Sequence, residues 1–353
     1  MPHAAFHVKG AQHTLQSFLD TCSQGHFDNS SAWLPLHAHC RHVVPQEHAG
    51  RHIAPSDPGA ASCFPRSHKP LWLHVVGDST MRFFYAGLLS YFNGTERRAP
   101  GFPLHWLPSN DSCAFAKTGW PTTHNNCYRR WRGKCDESQA NGCFLDARGL
   151  DWRVTFSWWH TNKNATRIQA LKLPWRNESS GEPISADRPV AVLVGLGVWE
   201  ALWTTKTNTA PSKVYAERVS SGLTAVARMR EELGGGSAVF LFGNGGCRFH
   251  QRLPFVRRVT GPKADFPRAI YEAQVVGRGN ALLDAYARNQ SGGGPVLYVN
   301  RSAPIAGAAA VAGAPAMIES PCFHSHPYGA LTDVSVCLVL RAVQGLAHGP
   351  ETR

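Results

Sequence analysis

A serine stands directly after one of the most apolar segments of the chain. Residues 71–76 form a short run rich in β-branched and aromatic side chains, which predicts a strand buried on both faces. The run ends at Gly77, and Asp78 and Ser79 follow. Apolar residues then recur at spacings of three and four, which predicts a helix over 80–92. A serine at such a strand-to-helix corner lies beside the N–H groups of a helix N-terminus, an arrangement that suits nucleophilic acyl chemistry.

The same corner also has an interpretation without chemistry. Gly77, Asp78 and Ser79 can form an ordinary turn in which the serine caps the helix and the aspartate binds turn amides. Acyl transfer needs a general base as well, and the sequence offers His324 and His326 shortly before its last predicted helix. Each of them is also one of 18 histidines, and a satisfied surface histidine is the alternative. The pattern predicts a serine nucleophile and one histidine base, with the plain turn left open.

Further strands and helices alternate along the chain. Strands are predicted over 154–159, 189–196, 238–242 and 295–299, and helices over 213–233, 267–288 and 331–346. This alternation is typical of a doubly wound, mostly parallel sheet with helices on both faces, a three-layer α/β fold. We therefore predict one large domain over 71–353, with ligands bound at the carboxyl ends of its strands.

Cysteines mark two regions outside this alternation. Residues 1–70 are rich in His, Pro and Ser and contain three cysteines, which predicts a loop-rich lid pinned by disulfides: Cys22, Cys40 and Cys63. An insertion over about 95–150 contains four more: Cys113, Cys127, Cys135 and Cys143. Their spacings of 14, 8 and 8 residues include no C-x-x-C pair, so a disulfide-stapled insertion is favoured over the rival zinc site.

Glycosylation signals and cysteines together indicate the compartment. Seven of the 14 asparagines begin an Asn-x-Ser/Thr sequon: Asn29, Asn93, Asn110, Asn164, Asn177, Asn289 and Asn300. With ten cysteines in the chain, this predicts a protein of the secretory pathway, in the Golgi lumen or outside the cell. The first ten residues do not resemble a signal peptide, so we expect either an upstream membrane anchor missing from this chain or another export signal.

The charge balance excludes some partners. The formal net charge is +12, but Lys and Arg are spread along the chain without a run of five. This is typical of a solvated basic surface, and no nucleic-acid partner is expected. No apolar segment approaches the roughly 18 residues of a membrane-spanning helix, so the chain as given is expected to be soluble.

Several motifs in the right order resemble the PC-esterase group of the SGNH-type esterases, which includes the trichome-birefringence-like polysaccharide O-acetyltransferases and related sialic-acid and capsule acetyltransferases. The first motif is the Gly-Asp-Ser corner with Arg82 three residues after the serine. A preamble with Cys, Gly, an aromatic residue, Trp-x-Pro and Cys is matched by Cys22, Gly25, Phe27, Trp33, Pro35 and Cys40. An aromatic central strand resembles 156–160, the Asn-x-Gly-x-Trp motif corresponds to 195–199, and Asp-x-x-His corresponds to 321–324. The resemblance spans about residues 20–345.

The resemblance implies an SGNH-hydrolase-like fold and roles for individual residues. Ser79 would be the nucleophile, His324 or His326 the base, and the backbone N–H groups of Ser79 and Thr80 the oxyanion hole, with Gly195 at its third position. Substrate contacts are expected from four residues: Arg82, Trp158, Trp159 and Trp199. For Arg82 a structural ion pair is the alternative, and for the tryptophans it is a place in the core.

Two positions depart from the family pattern. Gly195 stands where the family has an oxyanion-binding asparagine, and Pro321 stands where it has the aspartate that fixes the histidine tautomer. Loss of one oxyanion donor typically slows catalysis by about two to three orders of magnitude. Glu319 lies near the histidine, but at a different spacing. The chemistry is therefore expected to be altered or lost if no other residue takes these roles.

The implied function is O-acylation, such as O-acetylation, of a glycan or polysaccharide through a serine acyl-enzyme. No cofactor is expected to be bound, and the acyl donor would be acetyl-CoA or another acetylated carrier. A secreted or luminal acetylesterase forms the same acyl-enzyme and differs only in the nucleophile that attacks it, water in place of a sugar hydroxyl, so it remains an alternative. A further alternative is a protein that keeps the fold and binds glycans without turnover.

Overall fold

The computed structural model describes part of the chain. The described residues are 2–27, 33–41, 43, 71–77, 80–81, 84–85, 87–88, 144–148, 152–158, 188–196, 211–234, 236–244, 273–290, 294–301, 318–319, 324–325 and 330–348.

The described elements include the predicted strands and helices together with several that the sequence did not predict. The strands are β1 (Gly25–Phe27), β2 (Trp33–Pro35), β3 (Leu71–Gly77), β4 (Phe144–Arg148), β5 (Trp152–Trp158), β6 (Ala191–Gly195), β7 (Ala238–Phe242), β8 (Val296–Val299), β9 (Ile318–Glu319) and β10 (His324–Ser325). The helices are α1 (Pro2–Cys22), α2 (Pro211–Glu232), α3 (Ala273–Asn289) and α4 (Ala330–His348), with a 3-10 turn at Ala38–Cys40. We call six further helical residues after β3 the Thr80 helix: Thr80, Met81, Phe84, Tyr85, Gly87 and Leu88.

Six strands form the main sheet, in the order β4-β5-β3-β6-β7-β8. β5, β3, β6, β7 and β8 are mutually parallel, and β4 pairs antiparallel with β5 at one edge. Every residue of β3, β6, β7 and β8 is buried, as expected for strands that are covered on both faces. The predicted parallel α/β sheet is confirmed. β4 corrects one detail, since part of the predicted insertion belongs to this sheet.

Two layers of helices cover the sheet. Leu73 of β3 packs in one core with residues of α1, the Thr80 helix and α4, such as Leu19, Phe84 and Leu340. The neighbouring residue Trp72 points to the opposite face and packs with α2 and α3. Successive strand residues alternate between faces, so one strand contributes to both cores. The described helices therefore form the two outer layers of a doubly wound sheet.

Helix α1 corrects the prediction of loops for residues 2–22 of the N-terminal segment. The side-chain amide of Gln16 pairs with the backbone of Tyr298 on β8, accepting from its N–H at 2.7 Å and donating to its carbonyl at 3.0 Å. Arg288 of α3 also donates to Asp20 at 2.9 Å. Gln16 thus satisfies backbone groups of an edge strand that would otherwise be open to another chain. α1 is part of the domain core and covers the β8 edge.

A disulfide links the end of α1 to the 3-10 turn. Cys22 and Cys40 are joined and fully buried, so the predicted presence of a disulfide in this segment is confirmed, with both cysteines inside the segment itself. Cys337 of α4 is also disulfide-bonded. Cys63 and the four cysteines of the insertion lie outside the described residues. Among the described helices, none has both the length and the apolar character needed to cross a membrane.

Candidate functional site

The gap between the neighbouring strands β3 and β6 is the position at which a doubly wound sheet binds ligands. Numbered along the chain, the five parallel strands lie in the order second, first, third, fourth and fifth. The chain therefore leaves β3 toward β5 on one side and reaches β6 on the other. In open α/β sheets a crevice forms outside the carboxyl ends of the strands at such a reversal. β3 ends at Gly77 and β6 at Gly195, so the candidate site lies beside these two glycines.

Met81 packs between the two glycines. A Cβ at Gly77 would lie 2.5 Å from Cγ of Met81 and 2.9 Å from the carbonyl oxygen of Gly195, and a Cβ at Gly195 would collide with the same methionine. Gly77 also has a φ of 154°, which L side chains rarely adopt. A side chain at either strand end would therefore require Met81 to move. Because position 195 is glycine, any oxyanion donor from this position is a backbone group.

Ser79 lies between two described residues, Gly77 at the end of β3 and Thr80 in the helix. Asp78, Ser79 and Arg82 themselves lie outside the described residues. Thr80 is helical and buried, with 4 % of its surface exposed. The strand and the helix that the sequence predicts on either side of Ser79 are thus both present. A helix that starts directly after β3 has its N-terminal N–H groups and partial positive charge near the carboxyl end of that strand.

Trp158 marks the same edge of the sheet. The register pairs it with Gly77, so both residues end their strands side by side. This agrees with the prediction that it lies at the carboxyl end of a strand. Trp159 and Trp199, the other two aromatic residues assigned to substrate binding, lie outside the described residues.

The structure describes the position of one of the two predicted bases. His324 begins β10, and the antiparallel register sets it directly opposite Glu319 of β9. His326 and Ser79 lie outside the described residues, and so does the predicted hydrogen bond between Ser79 and a histidine. After β10, four residues lead into α4, which shares its hydrophobic core with the Thr80 helix.

An asparagine network at the end of β7 was not predicted from the sequence. The side-chain NH₂ of Asn244 donates to the carbonyl of Leu196, next to Gly195, and to the hydroxyl of Tyr215 at 3.0 Å. Its backbone N–H donates to Asn280 at 2.8 Å, and the Asn280 amide donates back to the Asn244 carbonyl at 2.8 Å. The network holds the chain after β6 against α2 and α3. The Gly-Asn-Gly sequence after a buried strand is a turn signal that points to this position.

Tyr298 lies next to this network, but it is no general base. A Cβ at Gly243 would contact its hydroxyl. Burial raises the pKa of the Tyr298 phenol well above its usual range, and the nearby Asp284 contributes in the same direction. The phenol therefore stays protonated at neutral pH and serves as a neutral packing and hydrogen-bonding group.

A second buried polar cluster lies within the sheet. The hydroxyl of Thr155 on β5 accepts from the Trp72 indole at 3.0 Å and lies 2.8 Å from Nδ1 of His74. The guanidinium of the fully buried Arg153 lies 4.1 Å from the centre of the Trp72 ring. His74 is three residues before the end of β3, so this cluster supports the strand that precedes Ser79.

One group of described residues has the composition of a metal site. The ligand atoms of Cys22, His39 and Cys40 lie within 4.8 Å of one another. The two sulfurs are joined in the disulfide, so they offer no thiolates to a metal ion. This cluster is structural.

No protein-family model, no curated protein and no solved structure matches this chain.

Proposed function

We propose that this protein is a glycan O-acyltransferase with an SGNH-type fold that forms an acyl-enzyme on Ser79. One observation carries the proposal: the Gly-Asp-Ser sequence comes at the end of β3, at the strand reversal beside β6, where doubly wound sheets bind ligands. The Thr80 helix, which follows this tripeptide, adds N–H donors at the same place. A surface loop with the same tripeptide would have neither feature.

The proposed reaction has two steps. The hydroxyl oxygen of Ser79 attacks the carbonyl carbon of the acyl donor while His324, or alternatively His326, accepts the hydroxyl proton. The backbone N–H groups of Ser79 and Thr80 bind the oxyanion, and the protonated histidine returns the proton to the leaving group. A sugar hydroxyl then attacks the acyl-enzyme and gives its proton to the same histidine, which passes it to Ser79 Oγ as the acyl–serine bond breaks, so that the sugar ester leaves and Ser79 is restored.

The oxyanion hole of this mechanism is built from the backbone. Because Met81 fills the space beside Gly195, the family asparagine has no counterpart there. A missing donor typically costs about two to three orders of magnitude in rate. We therefore expect a slow enzyme. The Asn244 hydrogen bond to the Leu196 carbonyl fixes the backbone beside Gly195, which favours preorganisation of the remaining donors.

Substrate binding is assigned to residues around the same sheet edge. Arg82 would bind a carboxylate or phosphate of the acceptor or donor, and Trp158, Trp159 and Trp199 would stack on sugar rings. The acyl donor is acetyl-CoA or another acetylated carrier. The sequon and cysteine content supports a place in the secretory pathway, in the Golgi lumen or outside the cell.

The test compares ester consumption with and without an acceptor. A chromogenic acetyl ester is incubated with the full chain, alone and with a panel of oligosaccharides, and the sugars are examined by mass spectrometry. We expect a gain of 42 Da per transferred acetyl group on one class of oligosaccharide, a mass that follows from replacing a hydroxyl hydrogen by acetyl. Ester hydrolysis without any acetylated sugar would support the acetylesterase alternative instead. Sugar binding without ester cleavage would support the glycan-binding alternative.

A further inference from the structure

The hairpin of β9 and β10 places an acidic residue opposite one of the two candidate bases. Its register pairs Glu319 with His324 and Ile318 with Ser325. Within the described residues of this hairpin, the first pair is the one that joins a carboxylic acid to an imidazole. We propose that Glu319 is the positioning residue of His324, and that His324 is therefore the general base. The inference rests on the proposed function, because Glu319 has this role only if Ser79 performs acyl transfer.

The backbone arrangement suits such a pair. Residues directly opposite each other in an antiparallel pair stand on the same face, with Cβ atoms typically about 4.5–5.5 Å apart. Opposite charges at this separation attract each other across the strands. Ser325, the next residue of β10, is paired with an isoleucine, so the described register offers a carboxylate to His324 and none to its neighbour.

The chemistry explains why a base needs this partner. A carboxylate that accepts a hydrogen bond from Nδ1–H holds the imidazole in one tautomer and orientation, which leaves Nε2 to accept the serine proton. It also stabilises the imidazolium that forms during the step. The carboxylate itself stays ionised throughout, so no proton moves to Glu319.

The register also accounts for the departure from the family spacing. Pro321 occupies the position three residues before His324 and can neither accept nor donate through its side chain. Glu319 is five residues before His324 in the sequence, but the hairpin brings the two positions opposite each other. Glu319, brought opposite His324 by strand pairing, would thus take the role that the aspartate has in the Asp-x-x-His motif.

The test measures reaction of Ser79 in the full chain with a fluorescent fluorophosphonate. In this reaction the serine oxygen bonds to phosphorus, fluoride leaves and the base accepts the proton. We expect Glu319→Gln to slow the labelling rate at saturating probe by about 10³- to 10⁴-fold, the effect seen when the acid is removed from a triad. The probe concentration for half-maximal rate should stay the same. Glu319→Asp keeps the carboxylate and should recover most of the rate.

A matched control and a second measurement distinguish a role of Glu319 in positioning His324 from a role in folding. Glu217→Gln makes the same change on an exposed position of α2 and should label at the wild-type rate. In NMR titrations the pKa of the His324 imidazole should be lower in Glu319→Gln than in the wild type, because the carboxylate favours the charged form. Should Glu319→Gln fail to fold, Glu319→Asp and Glu319→Ser are compared in its place.

The outcomes distinguish the two proposals. Wild-type labelling at Ser79 together with unchanged labelling of Glu319→Gln would overturn the role of Glu319 and leave the proposed function intact. Equal loss of rate in Glu319→Gln and Glu319→Asp, without a change in the pKa of His324, would also overturn it. A wild-type chain that takes up no label would overturn both proposals.

Discussion

The side chain of Met81 fills the space in which a Cβ of Gly195 would lie. Met81 is fully buried, so it has little room to give way. We therefore expect Gly195→Ala to lower the free energy of unfolding by roughly 1–3 kcal/mol, as overpacking of a core typically does. Urea denaturation of the two proteins measures this difference.

Gly277→Ala is the matched control for this substitution. Gly277 lies on α3, and a Cβ there would have nothing within 4 Å. Replacing a helical glycine by alanine should raise stability by roughly 0.5–1 kcal/mol. In a Met81→Ala background the Gly195→Ala change should become nearly neutral. Equal costs with and without Met81 would show that the two residues are not coupled.

The buried cluster on β3 and β5 gives a second test of the core. Thr155→Val keeps the shape of the side chain but removes the acceptor of the Trp72 indole N–H and the partner of His74 Nδ1. We expect a loss of about 1–3 kcal/mol in the free energy of unfolding, because a buried donor is left unsatisfied. Thr224→Val, at an exposed position of α2, should change stability by less than about 0.5 kcal/mol. Similar costs at both positions would contradict the importance of the cluster.

The elements of the main sheet could be predicted because each signal is strong and local. β7 agrees with the predicted strand over 238–242, and the ranges of β6 and α2 differ from the predictions by a few residues at their ends. An apolar run between turn residues and a 3.6-residue period are properties of the segment itself. The order of these elements also places the end of β3 at the strand reversal, so the position of the candidate site was predictable as well.

Helix α1 and strand β4 could not be predicted in the same way. α1 does have apolar residues at helical spacing, Leu15, Phe18, Leu19 and Cys22, but they are few and stand among polar residues. Much of its packing is tertiary, such as the Gln16 contact with Tyr298, which joins residues 282 positions apart. β4 is five residues long and exists through pairing with β5. The long-range Gln16 hydrogen bonds leave no local pattern, whereas β4 pairs with the next strand in the sequence but contains no β-branched residue to mark it.

At the candidate site the sequence predicted the functional residues but not the side chains that pack around them. The place of the Gly-Asp-Ser sequence after β3 and the position of Trp158 at a strand end were both predictable from the order of residues along the chain. The packing of Met81 against Gly195 and the Asn244 network could not be predicted in this way, because each depends on contacts between separate segments. The pairing of Glu319 with His324 likewise depends on hairpin register and not on sequence spacing.

The Cys22–Cys40 bond offers a test of the predicted compartment. Mass spectrometry of unreduced protein from its native host should find a peptide pair linked through these two residues. Reduction should lower the free energy of unfolding by about 2–4 kcal/mol, since the bond constrains an 18-residue separation in the unfolded chain. Ten free thiols in the native protein would contradict the secretory assignment.

The two described sequon asparagines differ in accessibility. Asn289 is exposed at the end of α3, whereas Asn300 is half-buried after β8 and engaged in an interaction. Because a glycan needs an exposed acceptor, we expect higher glycan occupancy at Asn289 than at Asn300. Glycopeptide mapping of protein made in a eukaryotic secretory host measures both occupancies, with Asn289→Gln as the control that removes one glycan. Greater occupancy at Asn300 would contradict this expectation.

Replacement of the serine itself should leave the fold intact. Ser79→Ala removes a hydroxyl beside the helix start, which costs about 1 kcal/mol if the serine also caps the helix. Circular dichroism and urea denaturation should therefore resemble those of the wild type. Ser157→Ala, a change of the same kind within β5, is the control for labelling.

Fluorophosphonate labelling of Ser79 followed by peptide mapping tests the central claim most directly. The account predicts that the wild type carries one phosphonyl group, on the peptide that contains Ser79, and that Ser79→Ala carries none while Ser157→Ala is labelled as the wild type is. Labelling that survives in Ser79→Ala, or a folded wild-type chain that takes up no label, would contradict a serine nucleophile at the end of β3.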